Sequence, residues 1–515
     1  MVEMKRLCRK FLWFLCAVCI LAGIAARFLF LDISYEYDEI FTAVSSNPSL
    51  SFGWILTNWL LPDVHPPLHN FLLYIYNHFV PYGPEIWLRL PSVIFGFAAL
   101  GWAWFGFPMR FGKTARGLFF AMMSCQMYGV FYTQYARAYA LVLFLSVPLT
   151  FLFLNISHAV IKNHKITLRQ WLAYGVLSLL LCWSHYFGAL LFGVFSVLLF
   201  AEAFLYKRRL MPFIAVPALV FVLFLPWLGP NLWENIFLQR FNGTWWAGKV
   251  PPIHIMPELI VFFFSSFWSH FILMILLLAG LWVGMKQYRR NNCFAYGRDI
   301  VLLTFVLLFA LGIVGLLYIK IYLFFGRYFM PFVPSVYLLC VLIMAPVIRR
   351  YIGALALFVA AMAINLGMIG VMFGVMHFTG FLSARPSAQM YRTLWPDKEL
   401  FVIALEAFPP TSMNAMYGFY PNEVWHMNAR VTELYHLDEA AREKELAERE
   451  KAVILMPNCT SSRLNRLSKE WERAIAVEMQ EGNSCFLKLT DKGVFAPPAD
   501  WQRLNEEQLQ KIGSV

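Results

Sequence analysis

The run FLWFLCAVCILAGIAARFLFL, residues 11–31, follows Lys5, Arg6, Arg9 and Lys10. A signal peptide has the same charge order, but its apolar core is about 7–15 residues long and ends at a small-residue cleavage site. This run is longer, matches the roughly 20 residues needed to cross the hydrocarbon core as a helix, and is followed by more runs of the same kind. It reads as an uncleaved first span. Cys16 and Cys19 lie inside it, and the residues before each form no lipobox.

Further apolar runs lie near 87–107, 117–135, 137–156, 171–184, 187–206, 211–230, 257–285, 300–319, 328–348 and 352–377. Composition agrees. Apolar residues are 60% of the 515, charged residues 14%, and mean hydropathy is +0.60. A soluble globule carries roughly 45–50% apolar and about 25% charged residues. The fold class is a polytopic α-helical membrane protein with about eleven spans. Disorder, collagen, coiled coil and small disulfide scaffold are excluded. The nine cysteines form no CxxC and no metal-ligand spacing.

Lys and Arg exceed Asp and Glu by 42 to 30. The excess sits in short loops: Arg110, Lys113 and Arg116; Lys162, Lys165 and Arg169; Lys207-Arg208-Arg209; Lys286, Arg289, Arg290 and Arg298; Arg349-Arg350. These clusters fall on every second loop, so the charge records topology, with the N-terminus inside, and no nucleic-acid partner is expected. Residues 31–86 hold Asp32, Glu36, Asp38, Glu39, Asp63 and Glu85 and no Lys or Arg. They form the first outer loop. The apolar run His69–Val80 within it must then lie along the interface, because a crossing there would invert every later loop. Five stretches collect outside: 31–86, the turn near 134–139, Ser184-His185-Tyr186, 231–256 and 320–327.

From about residue 380 charges become dense. Short apolar stretches at 400–405, 452–456, 474–478 and 485–489 alternate with helical patterns near 438–450 and 463–473. That order predicts a small α/β domain over 380–515, after a membrane module over 1–379, and on the outer side by the charge rule. Cys459 and Cys485 are its only cysteines. An oxidising compartment would let them pair; two free thiols is the alternative.

Residues suited to chemistry gather outside. Tyr35-Glu36-Tyr37-Asp38-Glu39 and Asp63-Val64-His65-Pro66-Pro67-Leu68 lie in the first loop. In a turning segment two adjacent carboxylates point apart, so one can act while the other holds structure; a merely solvated acidic loop would look the same. Tyr132-Thr133-Gln134-Tyr135-Ala136-Arg137-Ala138-Tyr139 puts one arginine between two long apolar runs. A cation at that depth needs a carboxylate or phosphate partner, or must snorkel to headgroups. Phe325-Gly326-Arg327-Tyr328-Phe329-Met330-Pro331, with Lys320 just before, suits phosphate recognition or an interfacial belt. His185-Tyr186 at the hairpin apex and Trp233, Trp245 and Trp246 in the loop 231–256 are candidates for contacting a sugar, or are ordinary interface residues.

Taken in order, the acidic pair, His-Pro-Pro-Leu, Arg89-Leu90-Pro91-Ser92, Tyr-x-Gln-x-x-Arg-x-Tyr, Ser-His-Tyr and Arg327-Tyr328 resemble bacterial members of the protein mannosyltransferase-like group. That group is glycosyltransferase family 39 in the GT-C superfamily; lipid A aminoarabinose transferases are more distant relatives. The match covers about residues 10–350. It implies a polyprenyl-phosphate-linked sugar donor, a reaction at the outer face of a bacterial inner membrane, and a glycan, glycolipid or protein acceptor. Asp38, with Glu39 beside it, matches the catalytic aspartate; His65 falls in the His-Pro-Pro element; Arg137 matches the arginine of the second outer turn. Two departures put a protein-serine acceptor in doubt. His69-Asn70 stand where Gly-Lys follows His-Pro-Pro-Leu in the eukaryotic enzymes, and the tail is no trefoil lectin-like domain.

The chemistry needs a base for the acceptor hydroxyl and cations for the departing phosphate. Asp38 is assigned as base. Arg137, Arg327, Lys320, His65 and Tyr139 are assigned to the donor phosphate, and His185, Tyr186, Trp245 and Trp246 to the sugar or acceptor. No cofactor is expected. A divalent metal at Asp38 or Glu39 stays open, since the second outer turn adds no clear carboxylate ligand. The competing readings are a polyprenyl-lipid or glycan flippase, which the apolar middles of 301–315 and 352–366 count against, and a membrane anchor for the tail, which gives Asp38 and Arg137 no role.

Overall fold

The structure is a computed structural model. It describes residues 2–229, 231, 252–291, 295–321, 325–378, 384–394 and 399–403, and in the tail 419–424, 427, 431–434, 437, 439–447, 452–456, 461–471, 474–481 and 484–490. The chain forms two compact units. One comprises 1–31, 45–81 and 86–373; the other comprises 32–44, 82–85 and 374–515.

The first unit is helical. Among the described residues eight helices are long and apolar enough to cross a membrane: Glu3–Phe28, Glu85–Phe105, Tyr139–Lys162, Tyr186–Leu205, Phe267–Arg290, Gly297–Tyr318, Gly326–Arg350 and Ile352–Met376. The other expected runs fall on shorter helices, Gly112–Cys125 with Met127–Tyr132, Leu168–Ser184, and Met211–Trp227. Two helices are central. Tyr139–Lys162 and Gly326–Arg350 are 83% and 89% buried along their apolar windows, against 28% for Glu3–Phe28 and Phe267–Arg290. A helix that is apolar all round suits an interior place. The helix Leu68–Asn77 has 10 residues; at 1.5 Å per residue it spans about 15 Å, half the hydrocarbon thickness.

One expectation is corrected. The run 257–285, read as a single span, is two helices, Pro252–Phe264 and Phe267–Asn291, broken at Ser265-Ser266. Ser265 adopts φ 66°. A second break, at Gln126, faces the first. The Gln126 side chain donates to the Phe262 carbonyl, and the Met127 N–H donates to Ser265 Oγ at 2.9 Å. Backbone groups freed in the bilayer need such partners. Arg27, wholly buried, supplies more: it donates to the carbonyls of Met123 and Gly129, each at 2.9 Å. At the loops read as inner, Arg110 pairs with Asp299 at 3.3 Å and Arg298 with Glu202 at 2.7 Å, tying helix ends together.

The second unit carries a five-stranded sheet. Its strands are β1 (Glu399–Val402), β2 (Val431–Glu433), β3 (Ala452–Met456), β4 (Ala474–Glu481) and β5 (Ser484–Thr490), in the order β2-β1-β3-β5-β4. β1 runs parallel to β2 and β3; β5 runs antiparallel to β3 and β4. Because side chains alternate between faces, the apolar runs of β1 and β3 serve both. Phe401, Ile454 and Met456 pack with Leu464 and Leu467 of the helix Ser461–Trp471 on one face; Leu400, Val402, Val453 and Leu455 pack with Tyr391 and Phe486 on the other. Cys485 is disulfide-bonded, and Cys459 lies outside the described residues.

Candidate active site

In the first unit the turn between Met127–Tyr132 and Tyr139–Lys162 is fixed before it does anything else. Gln134 accepts the Phe30 N–H at 2.8 Å and donates to the Ala26 carbonyl at 3.0 Å. Ser92 donates to the Tyr135 carbonyl at 2.8 Å, and Arg89 donates to the carbonyls of Phe30 and Leu31. Arg89, Ser92 and Gln134 of the sequence pattern are thus engaged with backbone.

Arg137, held by that turn, is buried and lies 3.5 Å from His65 Nδ1 through Nη2. The Asp63 carboxylate addresses the same nitrogen at 3.2 and 3.3 Å. Burial would raise the Asp63 pKa, but the His65 ring, Arg137 and the Val64 N–H together hold it below the usual carboxylate range. The loop is secured by Asn231, which donates to the carbonyls of Leu61 and Asp63 and accepts from the Tyr186 hydroxyl. Tyr186 is therefore tied to Asn231.

His185 stands between Leu168–Ser184 and Tyr186–Leu205 in extended backbone, φ −165° and ψ 140°. Its Nδ1 accepts the Phe187 N–H at 3.1 Å, capping the second helix. A neutral imidazole that accepts at Nδ1 carries its proton on Nε2, and that buried Nε2 has no hydrogen-bond partner among the described residues. Burial, then His65, Arg137 and Arg327, push the ring's pKa well below its ordinary value, so it stays neutral. The ring sits 6.1 Å from those of His65 and Tyr139 and 5.2 Å from that of Tyr328. Both Arg137 and Arg327 lie near enough to His185 and Tyr139 to act on them electrostatically.

Arg327 enters from the turn at the start of the helical stretch Gly326–Phe332. Gly326 donates its N–H to Glu258, and a Cβ there would press on Glu258 and Phe262. The Arg327 guanidinium lies 5.1 Å over the Phe325 ring. Tyr128, Tyr132, Glu258, Phe262, Phe325, Gly326 and Arg327 line a cavity of 240 Å³. Tyr132 also touches Tyr139, with ring centroids 4.6 Å apart. One aromatic wall thus runs from the cavity to His185.

Motif spacing assigns no role to three residues here: Asn231, Glu258 and His69. His69 is buried, and neither ring nitrogen has a partner among the described residues. Burial and then Arg137 push its pKa down to about 3. Its one signal in the sequence is its place directly after His65-Pro66-Pro67-Leu68.

In the second unit Asp38 and Glu39 open the helix Tyr37–Val44. Glu39 is fully buried, and its Oε2 accepts the Glu36 N–H at 3.1 Å. A carboxylate at a helix start satisfies free N–H groups and the dipole. Asp38 is half-buried. Trp245, Trp246 and the side chain of Lys320 lie outside the described residues. Among the described residues no group of three or more His, Cys, Asp or Glu side chains is placed to hold a metal ion.

No protein-family model and no curated protein matches the chain. Solved structures do share its fold. ArnT from Cupriavidus metallidurans bound to undecaprenyl phosphate is 12% identical with a TM-score of 0.53, over 95% of this chain and 99% of that one. The same protein in the apo state is 11% identical with a TM-score of 0.55, over 93% and 97%. The archaeal oligosaccharyltransferase AglB from Archaeoglobus fulgidus, in complex with an inhibitory peptide and a dolichol-phosphate, is 11% identical with a TM-score of 0.50, over 94% and 74%. The chain has the GT-C type of membrane fold with a small C-terminal sheet domain. At these identities the likeness is one of fold, and the finer mannosyltransferase-like assignment rests on the sequence pattern.

Proposed function

We propose that this protein is an integral-membrane glycosyltransferase. It moves a sugar from a polyprenyl phosphate to a hydroxyl of a glycan, glycolipid or protein at the outer face of a bacterial inner membrane. The N-terminus lies inside and the tail outside, as the Lys and Arg pattern asks. The observation that carries the reading is the neighbourhood of Arg137, Arg327 and the unpartnered Nε2–H of His185 beside an aromatic-walled cavity. Two cations, Arg137 buried and Arg327 half-buried, with a buried neutral donor are what a departing phosphate monoester needs. The similar structures were solved with undecaprenyl phosphate and with dolichol-phosphate, which supports a lipid-linked donor.

In the proposed step the acceptor oxygen forms a bond to the anomeric carbon from the face opposite the phosphate. The carbon–oxygen bond to phosphate breaks, and the polyprenyl phosphate leaves with the electron pair. The hydroxyl proton passes to Asp38. A single in-line displacement inverts the anomeric centre. Arg137 and Arg327 hold the phosphate, with His65 fixed by Asp63 behind Arg137 and with Lys320 and Tyr139 assigned to the donor. His185 gives its Nε2–H to phosphate or sugar. Tyr186, Trp245 and Trp246 are assigned to sugar or acceptor, and Glu39 keeps the base's helix in place.

Native mass spectrometry of the purified protein with undecaprenyl phosphate tests the lipid site. Wild type should retain the lipid, while Arg137→Met and Arg327→Met should each weaken retention by roughly tenfold or more, the size of a lost charge-assisted contact. Equal retention by folded variants would remove the phosphate assignment.

A further inference from the structure

The segment that carries Asp38 does not hold itself. Residues 32–36 precede a helix of 8 residues, Tyr37–Val44, and helices that short are marginal in water. Within the second unit, two residues from far along the chain grip it. The Tyr420 hydroxyl donates to Glu85 Oε1 at 2.7 Å and accepts the Tyr35 N–H at 2.8 Å. Arg385 bridges Asp32 Oδ1 at 3.3 Å and Glu85 Oε1 at 3.2 Å, donates to the Asp32 carbonyl at 2.8 Å, and takes Ser34 Oγ on its backbone N–H at 3.0 Å. Tyr35 in turn donates to the Gly83 carbonyl at 3.0 Å.

Aromatic packing seals these bonds. The Tyr35 ring lies 5.6 Å from Phe419 and 5.9 Å from Tyr420, and Tyr82 lies 6.2 Å from Phe419 while donating to the Ala43 carbonyl. Tyr420 and Glu85 are 2% and 6% exposed, so water cannot replace a lost partner cheaply. Burial and then Glu85 push the Tyr420 phenol well above its ordinary pKa, which keeps the proton it donates. The grip ends at Tyr35, and the next residue starts the Glu36–Glu39 bond that opens the helix.

We infer that Tyr420 is a positioning residue: with Glu85 and Arg385 it sets the register of residues 32–39 and so the aim of Asp38. This rests on the reading of Asp38 as the base. The tail domain then completes the catalytic segment in addition to any contact it makes with acceptor.

Steady-state kinetics of the full-length enzyme on a polyprenyl-phosphate sugar tests it, with Asp38→Asn, Tyr420→Phe and Arg385→Met compared per folded molecule. Tyr420→Phe should lower kcat by about tenfold, the worth of one buried hydrogen bond, with the donor KM within about twofold of wild type. Arg385→Met, at a less buried site, should show the same split and serves if Tyr420→Phe folds poorly. A packing role alone would lower the melting temperature and leave kcat per folded molecule intact, and that result overturns the inference. So does a raised donor KM with unchanged kcat. An active Asp38→Asn overturns the base reading itself; an inactive Asp38→Asn beside a fully active Tyr420→Phe removes only the role given to Tyr420.

Discussion

Keeping His69 and His185 buried and neutral gives the first unit a pH signature. Both pKa values are lower in the folded protein than in the unfolded chain, where histidine titrates near 6.5. Between pH 6.5 and the folded value the unfolded chain binds more protons, so stability is present above about pH 6.5 and is lost as pH falls. At pH 5 His69 alone costs about 2 kcal/mol. Melting curves in detergent should show a lower midpoint at pH 5 than at pH 7.5, and His69→Phe should shrink the difference; a variant with the wild-type difference would contradict the assignment. Motif spacing singled out Arg137, His65, His185 and Arg327, and the structure brings these four into one neighbourhood. Asn231 and Glu258 were not legible, because each works through a backbone group distant in sequence, Asp63 or Gly326, and no local pattern records that.

Among elements, long apolar periodicity was a reliable guide and helix breaks were not. The runs 137–156 and 328–348 gave the two central helices. The break at Ser265-Ser266 was missed because its support comes from Met127 and Gln126, in another helix. Close helix approach was equally hidden. A Cβ on Gly280 would collide with the Ile343 carbonyl of the helix Val333–Arg350. Small residues let membrane helices meet backbone to backbone. Gly280→Ala should therefore destabilise by about 1–3 kcal/mol, the usual cost of overpacking, read as a lower melting midpoint. An unchanged midpoint would mean that the helices separate freely there.

At the scale of the whole molecule, composition and charge sidedness led to a polytopic helical membrane protein, the ordered motifs to the resemblance to GT-C enzymes, and alternating apolar and helical stretches to a terminal α/β domain. Strands β1, β3, β4 and β5 fall on the expected apolar stretches. The strand β2, 3 residues long, was too short to signal itself. What the sequence could not show is that residues 32–44 and 82–85 join the tail's unit, since the link runs through Tyr420 and Arg385. The central claim is that Asp38 drives transfer from a lipid-linked donor. Lipid mass spectrometry tests it most directly, on cells lacking the protein and on cells carrying only Asp38→Asn at wild-type abundance. The account predicts that both accumulate the same polyprenyl-phosphate sugar. Accumulation in the deletion alone, with Asp38→Asn cells matching wild type, would contradict it.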